Sequence, residues 1–446
     1  MTQERDEKFV RMTTTPVERL VGSFAVPSIL TMLIGSIYNM VDTFFVGQLD
    51  TQSTAALGIV FSYMGIIQAI GFFFGHGSGN FISRALGSQH EEEAETMAST
   101  GFFTAIALVT VIAILGALFM EPLLRAFGAT ETVMVPSKEY FRFILLGTPF
   151  IVGSLVLNNQ MRLQGNAAVA VRGIMSGAVL NVILDPIFIF ALHMGVAGAG
   201  LATALSQMVS FVLLLCLCGR RGGIAVKVRA VRPSRHAYRE IAAGGSPSLV
   251  RQGLMFLSTI CLNHCAGIYG DAALAAFSIV GRVMQMAGSC MIGFGQGFQP
   301  VCGFNYGAGL YGRVRRAFRF ALIVGFIYSL VLTALGLLFA PQVVAVFRGD
   351  DAEVVRIGAM ALRAHCLTFP LTAFIVMTNM FLQNIRRTGP AMVAAAARHG
   401  LFFIPALIVG TAVWGLRGVV AAQPVSDICA LLLCLPLCRS AMKKLR

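Results

Sequence analysis

Between Met97 and Met120 the chain reads MASTGFFTAIALVTVIAILGALFM, more than twenty residues without an acid or a base. Coiled as an α-helix, a stretch of that length crosses the roughly 30 Å hydrocarbon core of a bilayer. Comparable stretches recur along the whole sequence. Of 446 residues, 57% are hydrophobic and only 12% charged, with a mean hydropathy of +0.78. A water-soluble domain carries charge on about a quarter of its residues, so a soluble enzyme is excluded. In lipid every backbone donor and acceptor needs an internal partner, which leaves helices or a closed barrel. Long apolar runs, rather than alternating segments of about ten residues, favour helices.

Twelve spans are expected, near 19–47, 54–82, 97–120, 138–162, 168–193, 196–218, 240–268, 272–302, 315–340, 355–383, 389–411 and 414–438. Lysine and arginine collect at the N-terminus, the Arg162–Arg172 turn, the 220–239 loop, Arg313–Arg319, Arg386–Arg387 and Arg439–Arg446. The alternate connections, such as Gln48–Ser53 and Tyr269–Asp271, are poor in positive charge. The positive-inside rule then places both termini in the cytoplasm. It also accounts for the net charge of +14, including Arg220, Arg221, Lys227, Arg229, Arg232, Arg235 and Arg239, without a nucleic-acid partner. The ten cysteines all fall at or after Cys216, in or beside apolar segments, and read as small packing residues.

A shift of 220 residues superposes the two halves. Pro27-Ser28-Ile29-Leu30 meets Pro247-Ser248-Leu249-Val250, and Phe74-Gly75-His76-Gly77 meets Phe294-Gly295-Gln296-Gly297. Gly87 meets Gly307, and Gly195 with Gly198 meets Gly415 with Gly418. Six spans per unit make the repeats parallel, related by an axis along the membrane normal. The expected fold is an all-α membrane protein of twelve transmembrane helices in two pseudo-symmetric six-helix bundles. Its parts are a cytoplasmic N-terminal segment (1–18), an N-lobe (19–218), a basic linker (219–239), a C-lobe (240–438) and a cytoplasmic tail (439–446).

Acids inside spans are costly, about 2.5–3.5 kcal/mol at helix centre, and mark function by default. Asp42 lies in the first expected span and Asp185 in the fifth. Counted back from the outer helix ends at ~1.5 Å per residue, Asp42, Asp185 and Thr203 sit roughly 8 to 12 Å deep and can meet. Tyr38 precedes Asp42 by four residues and Asn181 precedes Asp185 by four, so each pair shares a helix face. These five residues form an oxygen-rich niche able to exchange a proton or to bind sodium. The equivalent positions in the second half are Leu262 and about Ile404, so the fold itself does not require acids there. Asp427 is expected to pair locally. Arg251 either snorkels or faces a cavity. Repeat geometry nominates Gln68, Asn158, Met255 and Met284 as lining a substrate cavity.

The chain resembles the multidrug and toxic compound extrusion (MATE) family over nearly all of 16–438. The most specific pieces are Tyr38-Asn39-Met40-Val41-Asp42 leading into Phe45-Val46-Gly47, and Asn181 with Leu184-Asp185-Pro186. Gly195-Val196-Ala197-Gly198, Ala202-Thr203 and Gln299-Pro300 followed by Asn305-Tyr306-Gly307-Ala308 add to them. The resemblance implies a V-shaped pair of lobes alternating access, and antiport of small organic, often cationic compounds against H⁺ or Na⁺. It implies a first-lobe cation site at Tyr38, Asp42, Asn181, Asp185 and Thr203, and no cofactor beyond the coupling ion. Some relatives also use acids in the seventh and tenth helices, where this chain offers Arg251 and no carboxylate. The Pro247-Ser248-Leu249-Val250-Arg251-Gln252-Gly253 run resembles the bacterial multidrug-efflux branch, implying a monomer in the cytoplasmic membrane.

No lysine follows a glycine anywhere, so there is no phosphate-binding Gly-Lys-Ser/Thr loop and ion coupling is the expected energy source. The alternative within the same superfamily is a lipid-linked oligosaccharide flippase, which favours several cationic residues around its cavity. A membrane-embedded enzyme is disfavoured by the lack of a His-Glu-x-x-His pair or a Gly-x-Gly-Asp motif.

Overall fold

The computed structural model describes residues 2–220, 222–349 and 351–445. Arg221 of the basic loop, Arg446 of the tail and the Asn39 side chain, all used in the sequence reading, lie outside the described features.

Helices make up nearly the whole chain, and no strand occurs among the described residues. In order they are α1 (Thr2–Thr14), α2 (Val17–Val46), α3 (Thr51–Gly87), α4 (Glu91–Leu118), α5 (Met120–Ala126), α6 (Glu131–Leu163), α7 (Ala167–Pro186) and α8 (Gly195–Leu217). There follow α9 (Arg235–Gly267), α10 (Asp271–Gly307), α11 (Tyr311–Arg348), α12 (Ala352–Asn384), α13 (Thr388–Ala396), α14 (Phe403–Trp414) and α15 (Leu416–Lys443). α7 runs on into a π-turn at Ile187–Ala191, and a second π-turn at Ala397–Leu401 connects α13 to α14.

Eleven of the described segments are long and apolar enough to cross a membrane, with α13, its π-turn and α14 counted as one. The twelfth expected span is α9. Its 33 residues are long enough, but Arg235, Arg239, Glu240, Arg251 and His264 lower its hydropathy. The helix α1 was not expected. Its polar residues gave no apolar periodicity, yet it buries Met12.

The chain divides into two compact units whose borders cut through helices. Unit 1 takes 1–15, 26–245 and 303–309; unit 2 takes 16–25, 246–302 and 310–446. Unit 1 is organised by α6, which packs on α3, α4 and α8, while α7 packs on α8. Its core includes Val60, Ile67, Phe141, Val152 and Leu157. Without a hydrophobic drive between helices in lipid, close approach depends on small residues. Gly71, Gly75 and Gly79, four apart on α3, face Leu155, Asn159 and Leu163 of α6. An added Cβ would lie 2.6, 2.9 and 2.5 Å from those side chains. In unit 2, α12 packs on α11 and α15, and α14 on α15, around Val344, Leu362 and Leu407.

The basic linker is fastened to unit 1. Gln164, Ser99 and Thr100, all buried, accept the backbone N–H groups of Ile224, Lys227 and Arg232 at 2.8, 3.0 and 3.1 Å. Glu95 and Glu92, which carry little weight in the orientation rule, pair with Lys227 (2.7 Å) and Arg232 (3.4 Å).

Candidate cation site

Two glycines set the helix spacing around the niche in unit 1. A Cβ at Gly177 would lie 2.8 Å from Ser210 Cβ and 2.9 Å from the Ser206 carbonyl, so only glycine lets α7 lie this close to α8. At Gly200 it would lie 2.9 Å from the Tyr140 carbonyl, which fixes α8 against α6 in the same way. Asn181 and Asp185 on α7, Thr203 on α8, Tyr140 on α6 and Tyr38 with Asp42 on α2 then converge.

The polar contacts come in pairs. Tyr38 donates its hydroxyl to Thr203 Oγ1 at 3.2 Å, and Tyr140 donates to Asp42 Oδ2 at 3.3 Å. Asn181 Nδ2 donates to Asp185 Oδ1 at 3.2 Å, the i,i+4 pair expected from spacing. Asp42 is 2% exposed, and Asp185, Asn181 and Thr203 are fully buried. Asp42 and Asp185 are close enough for their charges to interact, and both tyrosines feel both acids. Three buried acceptors have no donor: Asp42 Oδ1, Asp185 Oδ2 and Asn181 Oδ1. Two buried carboxylates repel each other and have lost their hydration, a cost that a cation or protons offset. The donor set is all oxygen, which suits a hard cation or a proton rather than a soft metal.

All five residues expected at the niche therefore meet, on α2, α7 and α8. Tyr140 is an addition. Its helix was expected to begin at 138, which leaves residue 140 too shallow, whereas α6 begins at Glu131 and carries Tyr140 nine residues in. The extra turns are masked in the sequence because Lys138, Glu139 and Pro136 look like a loop. Instead, Lys138 pairs with Glu121 at 2.5 Å and Arg125 with Glu131 at 2.7 Å beside the helix start.

The four cavity candidates are divided between the units, two in each. Gln68 on α3 is partly buried and Asn158 on α6 nearly fully so, and no hydrogen bond joins them among the described residues. In unit 2, Met255 on α9 is 38% exposed and Met284 on α10 lies against the edge of the core. Arg251, partly buried, donates its Nη1 to Asn379 Oδ1 at 3.4 Å. Asp427 pairs locally with Gln423 Nε2 at 2.9 Å, and with Arg398 Nε of another helix at 2.8 Å.

Long lipid-compatible helices around a buried acidic niche define a polytopic membrane transporter. The MatE family profile matches residues 27–187 and 247–408, and the chain belongs to this family. The two matched segments begin at the same spacing as the internal repeat. The chain is 25% identical over 431 residues to the multidrug export protein MepA of Staphylococcus aureus (strain NCTC 8325 / PS 47), covering 96% of this chain and 95% of that one. Among solved structures it is similar to a MATE transporter in complex with MaL6, with 26% identity, a TM-score of 0.92 and 98% of each chain covered. It is equally similar to the outward-facing conformation of a multidrug resistance MATE transporter of the MOP superfamily, with 26% identity, a TM-score of 0.91 and 98% of each chain covered.

Proposed function

We propose that this protein exports small organic compounds, cationic or amphipathic, by antiport against H⁺ or Na⁺ that loads at Asp42 and Asp185. The observation that carries this reading is the set of three donorless oxygens buried beside two interacting acids. Loading the niche neutralises that charge. Unloading it exposes two repelling carboxylates on α2 and α7, which favours hydration and separation of the helices that hold them. A site assembled from several helices thus converts ion occupancy into a change of packing, and a transporter alternating access needs such a change.

The relatives' names support the class of cargo, since the staphylococcal protein is a multidrug exporter. The charge distribution supports a location in the cytoplasmic membrane with both termini inside. Purified protein in proteoliposomes, given an organic cation and separately imposed proton and sodium gradients, tests the reading. One gradient drives uphill export. Export that needs neither gradient refutes it.

A further inference from the structure

Unit 2 contains a buried polar cluster that the coupling mechanism does not use. Asp427 on α15 is 1% exposed, and both its oxygens have donors. Arg398 Nε and Gln423 Nε2 donate to Oδ1 at 2.8 and 2.9 Å, and Thr368 Oγ1 donates to Oδ2 at 2.9 Å. His365 and His399 lie within electrostatic range of both charges, and Arg251 within range of His399.

The position of the cluster follows the repeat. At the 220-residue shift, Gln423 stands for Thr203, Ser426 for Ser206, Asp427 for Gln207, Thr368 for Thr148 and Ser258 for Tyr38. Tyr38 and Thr203 belong to the unit 1 niche, and Gln207 interacts with the Tyr38 hydroxyl. The second half thus keeps a carboxylate among positions matched to Tyr38, Thr203 and Gln207, presented from the last helix rather than from α9 or α13, and Thr368 reaches it although its match, Thr148, pairs with Tyr63. The helix carrying Arg398 is modified at that point. The π-turn Ala397–Leu401 widens the backbone, a feature frequent at functional sites. Its carbonyls are held in place: Ser426 Oγ donates to that of Arg398 at 2.7 Å, and the Ser258 hydroxyl to that of His399.

We propose that Asp427, Thr368 and Gln423 are the unit 2 counterpart of the cation pocket, and that Arg398 fills it as a covalently attached cation. Unit 1 leaves three acceptors for an exchangeable ion; unit 2 supplies its own. Only one unit then exchanges a coupling ion, an assignment that rests on the coupling role proposed for Asp42 and Asp185.

The test is equilibrium binding of sodium-22, with proton uptake measured in parallel, to the purified full-length chain. Arg398→Met gains one cation per chain, Arg398→Met/Asp427→Asn loses that gain, and Arg398→Lys shows none. A folded Arg398→Met chain with unchanged stoichiometry overturns the proposal. Should Arg398→Met not fold, Asp42→Asn/Asp185→Asn decides with Arg398 in place. Binding abolished in that variant supports the sealed pocket. Residual binding that is removed by adding Asp427→Asn overturns it. Residual binding indifferent to Asp427→Asn leaves the pocket sealed and refutes instead the coupling role of the first unit.

Discussion

Replacing Asp42 by asparagine changes one charge and almost no volume, so the effect can be followed atom by atom. Tyr140 now donates to Asp42 Oδ2 at 3.3 Å, and the amide oxygen of Asn can accept the same bond. The amide nitrogen then occupies the place of Oδ1, the oxygen that lacks a donor. It brings two N–H donors into a niche where Asp185 Oδ2 and Asn181 Oδ1 also lack donors. The variant thus fills the niche with a neutral donor and mimics the loaded state. One negative charge about 4 Å from a bound ion, at an effective dielectric near 20, is worth roughly 4 kcal/mol. Its removal lowers ion affinity by about a thousandfold. In proteoliposomes with an imposed ion gradient, Asp42→Asn is expected to show no uphill export. Substrate still binds, with an affinity independent of pH and sodium. A folded Asp42→Asn protein that concentrates substrate at the wild-type rate under the same gradient refutes the reasoning.

Tyr140→Phe removes a donor to a carboxylate and is expected to cost about 1.5–3 kcal/mol, whereas Tyr38→Phe removes a bond to the neutral Thr203 hydroxyl and costs about 0.5–1.5 kcal/mol. Thermal unfolding with and without the coupling ion checks the order, and a larger effect at Tyr38 contradicts it. Gly75→Ala forces a Cβ to 2.9 Å from Asn159 Cβ and is expected to destabilise unit 1 by about 1–3 kcal/mol. Gly58→Ala on the same helix meets nothing within 4 Å and is expected to leave the melting temperature unchanged or raise it, by up to about 1 kcal/mol of helix propensity. Lys227→Ala breaks a pair whose lysine is 59% exposed, so the loss stays under about 1 kcal/mol and export is unaffected. A collapse of expression in Lys227→Ala would show that the ion pair matters more to fastening the linker than its three backbone bonds.

The spans were legible because lipid imposes one demand on every crossing segment, an unbroken apolar helix, and that demand is written in local composition. The pairing of Asn181 with Asp185 was legible because helical spacing makes it local. Where charge and apolarity conflict, composition misleads. Lys138 and Glu139 hid the first turns of α6, and with them Tyr140, and polar residues hid α1. Arg398 and Asp427 illustrate a different limit. Twenty-nine residues apart and on separate helices, they share no spacing rule, and each alone reads as an expensive intramembrane charge. Only packing of the π-turn beside α13 against α15 shows that the two charges compensate each other. The second half carries no acid at 262 or near 404, the positions matched to Asp42 and Asp185. The buried carboxylate of the second half, Asp427, stands at the position of Gln207 and pairs with Arg398. What the lipid penalises is net buried charge, whichever helix supplies it, so a carboxylate on one helix is offset by a cation on another.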